Sequence, residues 1–375
     1  MFQLSVSGMF FARDRSARPP GRHFDPLAFG GRLLRLLPPN FAHRTAIRAL
    51  KYGLAPTLKQ DPSPVLATRV WDIDFANPVG LAAGFDKDAE ALDGLLGLGF
   101  GFVEAGTVTP RPQDENPRPN LFRLEEDAAV INRLGFPSQG LDAFARRLAR
   151  PRRAGVVGAN VGINRDCTDP AEEFATGIAR LAPLADYLVI NVSSPNTSGL
   201  RDLQRGERMS EIIAHAREAR DGAVGTGRRA PLIIKIAPDL DAAELDAVAR
   251  AAIDGGVDGL CAGNTTITRP DSLHSIAARN AGGLSGPVLL RRSTEVLATL
   301  YRLTEGRLPL IGCGGIASGA DAYAKIRAGA SLIQFYTALI YGGPGLARTI
   351  CADLARLLVD DGFAHVADAV GADHR

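Results

Sequence analysis

The chain has 375 residues, 46% of them hydrophobic, and a net charge of only +2. That is ample for a large core, and at ~100–200 residues per domain it suggests two or three domains unless the chain is an α/β barrel, which exceeds that length as one unit. Four cysteines form no C-x-x-C pair and six histidines show neither metal-ligand spacing nor H-E-x-x-H, which reads as a reduced, intracellular chain without a bound metal.

Residues 1–26 are rich in Arg and Pro without sustained periodicity and read as a flexible N-terminal extension. Residues 1–8 are too short, and lack the basic flank, for a signal peptide. Two helical patterns follow. Leu27, Phe29, Leu33, Leu34, Leu36 and Leu37 make one apolar stripe, interrupted by Arg32 and Arg35 and ended by Pro38-Pro39-Asn40. The second runs from Phe41 to about Tyr52, with Gly53 as a plausible C-cap. Charge is concentrated here: residues 1–60 carry ten Lys/Arg and two Asp/Glu, against 33 and 39 in the remainder. A basic start on a mildly acidic body predicts an anionic surface as partner. Nucleic acid is the competing reading, but no nucleic-acid-reading motif is present. No run of ~18 apolar residues exists, so no membrane-spanning helix is expected.

From Pro78 onward short apolar runs recur at 78–84, 102–108, 156–162, 187–193, 232–238, 259–265, 308–315 and 331–337. They are continuous rather than alternating, as strands covered on both faces should be. Helical patterns such as 241–256 and 319–330 lie between most of them. Eight strands alternating with helices predict an α/β chain built as one (β/α)8 TIM barrel over 56–375. A doubly wound open sheet is the alternative, but no G-x-G-x-x-G turn follows an early strand.

Barrel enzymes build their active sites at the C-terminal ends of the strands. Those ends hold Asp86 and Lys87; Thr107 and Thr109; Asn160; Asn191, Ser193 and Ser194; Lys235; Asn264, Thr265 and Thr266; Gly312, Gly314 and Gly315; and Tyr336 with Thr337. Histidine is missing from this set, and so is the carboxylate pair that glycoside hydrolysis needs. Amides, hydroxyls and two lysines suit a planar polar ring and developing anions, with an organic cofactor doing the hard step. Glycines after the seventh strand fit a phosphate site, since backbone N–H groups approach a phosphate only where no Cβ intervenes. Lys235, inside "LIIKIAP", must be either paired or functional, as a Schiff-base lysine or as a fixed cation beside a flavin. Asn160 and Asn191, each taken alone, read equally well as satisfied core amides.

The segments "GLAAGFDKD", "EAGTVTPRPQ", "NPRPNLFRL", "INRLGF", "NVSSPNTSGLR", "KIAPDL", "NTT", "GGLSG", "GCGG" and "GASLIQFYT" occur in that order. Together, over about residues 27–360, they resemble the dihydroorotate dehydrogenase family, in its membrane-associated, quinone-dependent class. The resemblance implies FMN-dependent oxidation of dihydroorotate to orotate in pyrimidine biosynthesis, with ubiquinone or menaquinone as acceptor. It implies that Ser194 is the base that removes the C5 proton while hydride leaves C6. Ala83, Gly84, Lys87, Thr107, Asn160, Asn191, Lys235, Gly286, Gly315, Tyr336 and Thr337 match FMN-binding positions. Lys87, Asn132, Arg133, Gly135, Phe136, Asn191, Asn196, Asn264 and Thr265 match substrate-binding positions. Serine is a poor base at its free pKa, so a relay is expected through Thr197 and a water near Phe136. His43 and Arg123 are candidates for the quinone site. Residues 27–55 are expected to form a two-helix segment on an anionic membrane surface, peripheral and, in a bacterium, on the cytoplasmic face of the inner membrane. Two departures stand out: Gly263, where the family usually has a threonine near FMN, and Pro137-Ser138 after "INRLGF". The alternatives are a soluble-class enzyme using fumarate or NAD, a Schiff-base lyase on Lys235, and a non-catalytic anion-binding barrel.

Overall fold

The computed structural model describes residues 31, 34–55, 57–58, 63–151, 155–204, 206–224 and 227–375. The expected extension at 1–26 lies outside them, as do Leu27, Phe29, Arg32 and Leu33 of the first apolar stripe. In chain order the strands are β1 (Thr68–Val70), β2 (Ile73–Phe75), β3 (Val79–Leu81), β4 (Phe102–Val108), β5 (Leu121–Leu124), β6 (Ala129–Asn132) and β7 (Val156–Val161). Then come β8 (Tyr187–Asn191), β9 (Leu232–Ile236), β10 (Gly259–Ala262), β11 (Gly283–Ser285), β12 (Leu310–Cys313) and β13 (Ala330–Phe335). All eight expected runs contain one strand of a closed parallel barrel, ordered β3-β4-β7-β8-β9-β10-β12-β13 and closed by pairing of Ile333 with Val79 and Phe335 with Leu81. The open-sheet alternative is thereby corrected.

The continuous apolar runs have a packing cause. One side of each strand meets the outer helices, and the other fills the barrel with Phe102, Tyr187, Val189, Ile233, Cys261, Ile311 and Leu332. The interior alternates large with absent side chains. A Cβ on Gly80 would lie 2.2 Å from the Phe102 ring, and one on Gly158 would lie 2.1 Å from the Tyr187 ring. The helices start where their caps dictate. Asp169 accepts the Glu172 amide, Asp241 and Glu244 form a capping box, and Ser318 accepts the Asp321 amide.

Two additions to the barrel were not expected from the sequence. The hairpin β1–β2 plugs the N-terminal end, with Val70 and Phe75 buried and Trp71 Nε1 donating to the Asp258 carbonyl at 2.6 Å. Its turn residues Trp71 and Asp72 both have positive φ, a conformation usually announced by Asn-Gly or Asp-Gly. The second is an antiparallel sheet ordered β11-β6-β5. It pairs Asn132 with both Leu121 and Gly283.

The second expected N-terminal helix is Pro39–Lys51 rather than 41–52. Pro39 opens it instead of breaking the chain, because a first-turn proline loses no hydrogen bond. It packs on the barrel through Leu50, whose carbonyl oxygen would lie 2.5 Å from a Cβ on Gly94. Lys51 pairs with Glu90 at 2.7 Å, and Asn40 donates to Asn120 at 3.1 Å. Among the described residues no helix is long and apolar enough to cross a membrane.

Candidate active site

A cavity of about 640 Å³ opens at the C-terminal ends of the barrel strands and runs out beneath the N-terminal helix. Its wall includes Ala83, Gly84, Lys87, Thr107, Asn191, Lys235, Gly286, Gly315, Tyr336 and Thr337. Asn132, Gly135, Phe136, Ser194, Asn196, Asn264 and Thr265 line the same cavity, as do His43 and Arg123. Of the residues matched to FMN- and substrate-binding positions, two are not on the wall. Asn160 lies one layer below it. The Arg133 side chain turns away, donating to the Pro119 carbonyl at 2.8 and 3.1 Å and stacking on Phe122.

The floor is a polar network inside the barrel. Thr107 Oγ1 donates to Asn160 Oδ1 at 2.6 Å, and Asn191 Nδ2 donates to Thr107 Oγ1 at 3.0 Å. Asn160 Nδ2 donates to Glu104 Oε1 at 2.7 Å. Glu104, fully buried on β4, also accepts from Gln334 Nε2 at 2.6 Å and Tyr187 OH at 3.3 Å. Its fourth partner is Lys235 Nζ, at 3.4 Å. Lys235 is therefore both paired and on the cavity wall. Burial, the largest single influence, would pull its pKa down, but the Glu104 carboxylate together with Cys261 and Cys313 outweighs it and holds the ammonium above its ordinary value. A Schiff-base lysine must lose its proton to attack, so this pairing counts against a lyase.

The substrate end is built by the loop after β8. Ser193 Oγ donates to Asn191 Oδ1 at 2.9 Å and accepts from Asn264 Nδ2 at 2.8 Å. Ser194 Oγ accepts the Asn196 amide at 3.2 Å, and Asn196 Nδ2 donates to Asn132 Oδ1 at 3.2 Å. Thr197 is buried in the same loop, but among the described residues no hydrogen bond joins it to Ser194. Arg201 locks the loop in place by donating to the carbonyls of Ser193 at 3.0 Å and Thr265 at 2.8 Å while pairing with Asp239 at 2.7 Å. Sequence reading passed over Glu104 and Arg201. The signal for Glu104 was available: "FVEAGTV" sets a charge in an apolar run just as "LIIKIAP" does.

Lys87 donates to the Gly84 carbonyl at 2.7 Å. Enclosure by protein pulls its pKa down to about 8, against the opposing pull of Asp88, Asp86 and Glu115. His43 packs edge-on against Phe85 at 5.3 Å. Burial, then Lys87 and Arg44, push it down to about 3, so the ring is neutral. Arg123 grips the preceding segment, donating to the Leu37 carbonyl at 3.0 Å and also to that of Arg35.

The residues present fit a flavin phosphate. Gly84, Gly286 and Gly315 have φ of +103°, +128° and +83°. A Cβ on Gly315 would lie 2.3 Å from the Leu290 backbone, and one on Gly286 would lie 2.8 Å from Ala129. The Gly286 and Gly315 turns present backbone without a Cβ beside the ends of β12 and β13, whereas the Gly84 amide already donates to the Gly106 carbonyl at 2.7 Å. A Cβ on Gly263 would fit at ordinary contact distance, 3.6 Å from the Cys313 carbonyl and from Pro238. The missing threonine therefore leaves space and does not distort the wall.

The family model for dihydroorotate dehydrogenase matches residues 65–358. The chain belongs to the dihydroorotate dehydrogenase family. It is 59% identical over 346 residues to the dihydroorotate dehydrogenase (quinone) of Azorhizobium caulinodans, covering 91% of this chain and 97% of that one. The mitochondrial quinone enzyme of Arabidopsis thaliana is 45% identical, over 91% of this chain and 80% of its own. The crystal structure of the Eimeria tenella dihydroorotate dehydrogenase in complex with ferulenol superposes with a TM-score of 0.87 at 42% identity, covering 90% of this chain and 96% of that one. The resemblance to the quinone-dependent class read from the motifs thus stands, and so does the (β/α)8 barrel of this oxidoreductase family.

Proposed function

We propose that the chain oxidises dihydroorotate to orotate with FMN bound in the cavity, and passes the electrons to a quinone that enters beneath the N-terminal helix. The observation that carries this is the continuity of one cavity from His43 and Arg123, past the glycine turns and Lys235, to Ser194. Bound FMN would supply the hydride acceptor. Lys87 is a suitable cation for the substrate carboxylate. Asn132, Asn191, Asn196 and Asn264 offer the donors and acceptors that a cyclic ureide requires. Ser194 takes the C5 proton, and Lys235, kept charged by Glu104, stabilises negative charge. Gly84, Gly286, Gly315, Tyr336 and Thr337 would hold the cofactor, with Asn160 acting through Thr107 and Asn191. Ser194 and the N-terminal helix favour quinone over fumarate or NAD. The test is a visible spectrum. The purified chain should show a flavin band that bleaches on anaerobic addition of dihydroorotate and returns with a quinone in detergent; a colourless, flavin-free protein overturns the reading.

The depressed Lys87 sets a pH limb. Its ammonium is charged below about 8 and neutral above, so affinity for the anionic substrate falls as pH rises through that value. kcat/KM for dihydroorotate should decline above pH ~8, and Lys87→Met should be weak and flat there. An unchanged limb in Lys87→Met removes Lys87 from this role.

Residues 27–55 are proposed to rest on an anionic membrane face. Phe41, Tyr52 and Leu54 are exposed on this segment, beside exposed Arg44 and Arg48. Each arginine near such a surface contributes about 1 kcal/mol. Deleting residues 1–53 should leave flavin reduction by dihydroorotate largely intact, abolish liposome binding and slow reoxidation by long-chain quinones more than by a small artificial acceptor. Unchanged liposome binding with an unchanged quinone KM sinks this placement.

A further inference from the structure

Lys325 is fully buried, and neither the fold nor the proposed reaction so far uses it. It stands on the helix Gly319–Arg327, and its Nζ donates to Ser293 Oγ at 2.6 Å. Ser293, on the helix Leu290–Leu303, in turn reaches the carbonyls of Leu289 at 2.7 Å, Gly314 at 2.9 Å and Leu290 at 3.2 Å. This places the ammonium directly behind the Gly314–Gly315 turn. A Cβ on Gly312 would lie 3.3 Å from Lys325 Cδ, and one on Gly314 would lie 3.4 Å from Ser293 Oγ.

A lysine is almost never fully buried without a charged partner. Among the described residues no carboxylate lies within ion-pair distance of Lys325, in contrast to Lys235, which has Glu104. Burial pushes the Lys325 pKa down to about 7, with Cys313, Asp321 and Cys261 opposing. An apolar side chain would fill the same space without that desolvation cost. With its pKa at about 7 the amine is only about half charged near neutral pH, so a nearby anion is what would hold it fully charged, and the glycine turn in front of it is where the proposed cofactor phosphate would lie.

We propose that Lys325 is a positioning residue of that phosphate cradle: through Ser293 it fixes the Gly314–Gly315 turn, and its buried positive charge favours a phosphate on the other side. The inference rests on the FMN reading above. The phosphate is what distinguishes FMN from riboflavin, so the ratio of their affinities isolates the charge from mere packing.

The experiment measures flavin release from full-length holoenzyme by recovery of flavin fluorescence on dilution, with FMN and again after exchange into riboflavin. Wild type should hold FMN far more tightly. Lys325→Met should weaken FMN on the order of 10- to 100-fold and leave riboflavin unchanged. Ser293→Ala, which keeps the charge but cuts the relay, should show a smaller loss, again confined to FMN, and it carries the test if Lys325→Met fails to fold. Equal weakening of both flavins, or of neither, in the folded variant overturns the role of Lys325. A wild type that does not distinguish FMN from riboflavin overturns the cofactor reading itself.

Discussion

Ser194→Ala is expected to keep its flavin and to lose about 10²- to 10⁴-fold in the rate at which dihydroorotate bleaches it, the usual cost of removing a general base. The geometry separates this residue from its neighbour. Ser193 Oγ is already committed, donating to Asn191 and accepting from Asn264. Among the described residues Ser194 Oγ only accepts, from the Asn196 amide at 3.2 Å, which leaves its own proton available to a relay. Losing that one acceptor costs about 1 kcal/mol, which affects loop order far less than the predicted rate. Ser193→Ala should therefore raise the dihydroorotate KM, and Ser194→Ala should lower the single-turnover rate. Ser194→Cys sharpens the distinction: a thiol ionises near ~8.5, well below a serine hydroxyl, so partial activity with a lowered pH optimum is expected. Stopped-flow bleaching of Ser194→Ala at the wild-type rate removes the serine from the chemistry.

What could be read from the sequence follows from which forces act locally. The eight barrel strands were legible because both faces of each are covered, which writes a continuous apolar run into the chain. The sheet β5-β6-β11 was not. Its strands are three or four residues long, and β11 joins from a distant part of the chain, so no local pattern records the pairing of Asn132 with Gly283. The hairpin at the barrel floor was hidden for a different reason, since Trp71-Asp72 takes a turn conformation without the residues that favour it. At the site, positions on the cavity wall were largely named, mostly through motif resemblance. Depth was not readable: Asn160 lies under Thr107, and Arg133 points outward from a segment whose neighbours Asn132 and Leu134 face in. The either-or posed for Lys235 dissolved because its partner Glu104, 131 residues away, stands on a strand that the barrel brings across the floor.

That pair makes the second large prediction. Glu104→Gln should destabilise the fold by about 3–5 kcal/mol, because it leaves Lys235 buried without its counter-charge. The glutamine can still accept from Asn160 or from Gln334, so loss of the charge dominates. Lys235→Met alone strands the carboxylate and should cost a similar amount. The double variant should cost clearly less than the sum, since neither charge is left alone. The pH dependence gives a sharper signature. In wild type the folded-state pKa of Lys235 lies above its unfolded value of ~10.4. Its contribution is fully present below that value and is lost only as pH rises through the folded one, so between pH ~7 and ~9.5 it adds no slope. In Glu104→Gln burial is opposed only by the weaker pull of Cys261 and Cys313, so the folded state is expected to bind fewer protons at Lys235 than the unfolded chain does. Stability of the variant should then rise with pH across that window, the opposite of the usual alkaline loss. The same neutralisation takes the cation away from the cavity floor, so flavin reduction should slow in step with the deprotonation of Lys235. Melting temperature and single-turnover rate, both followed against pH on one sample, decide it. A Glu104→Gln protein whose Tm tracks the wild type across pH ~7 to ~9.5 would mean that Glu104 is not what keeps Lys235 charged.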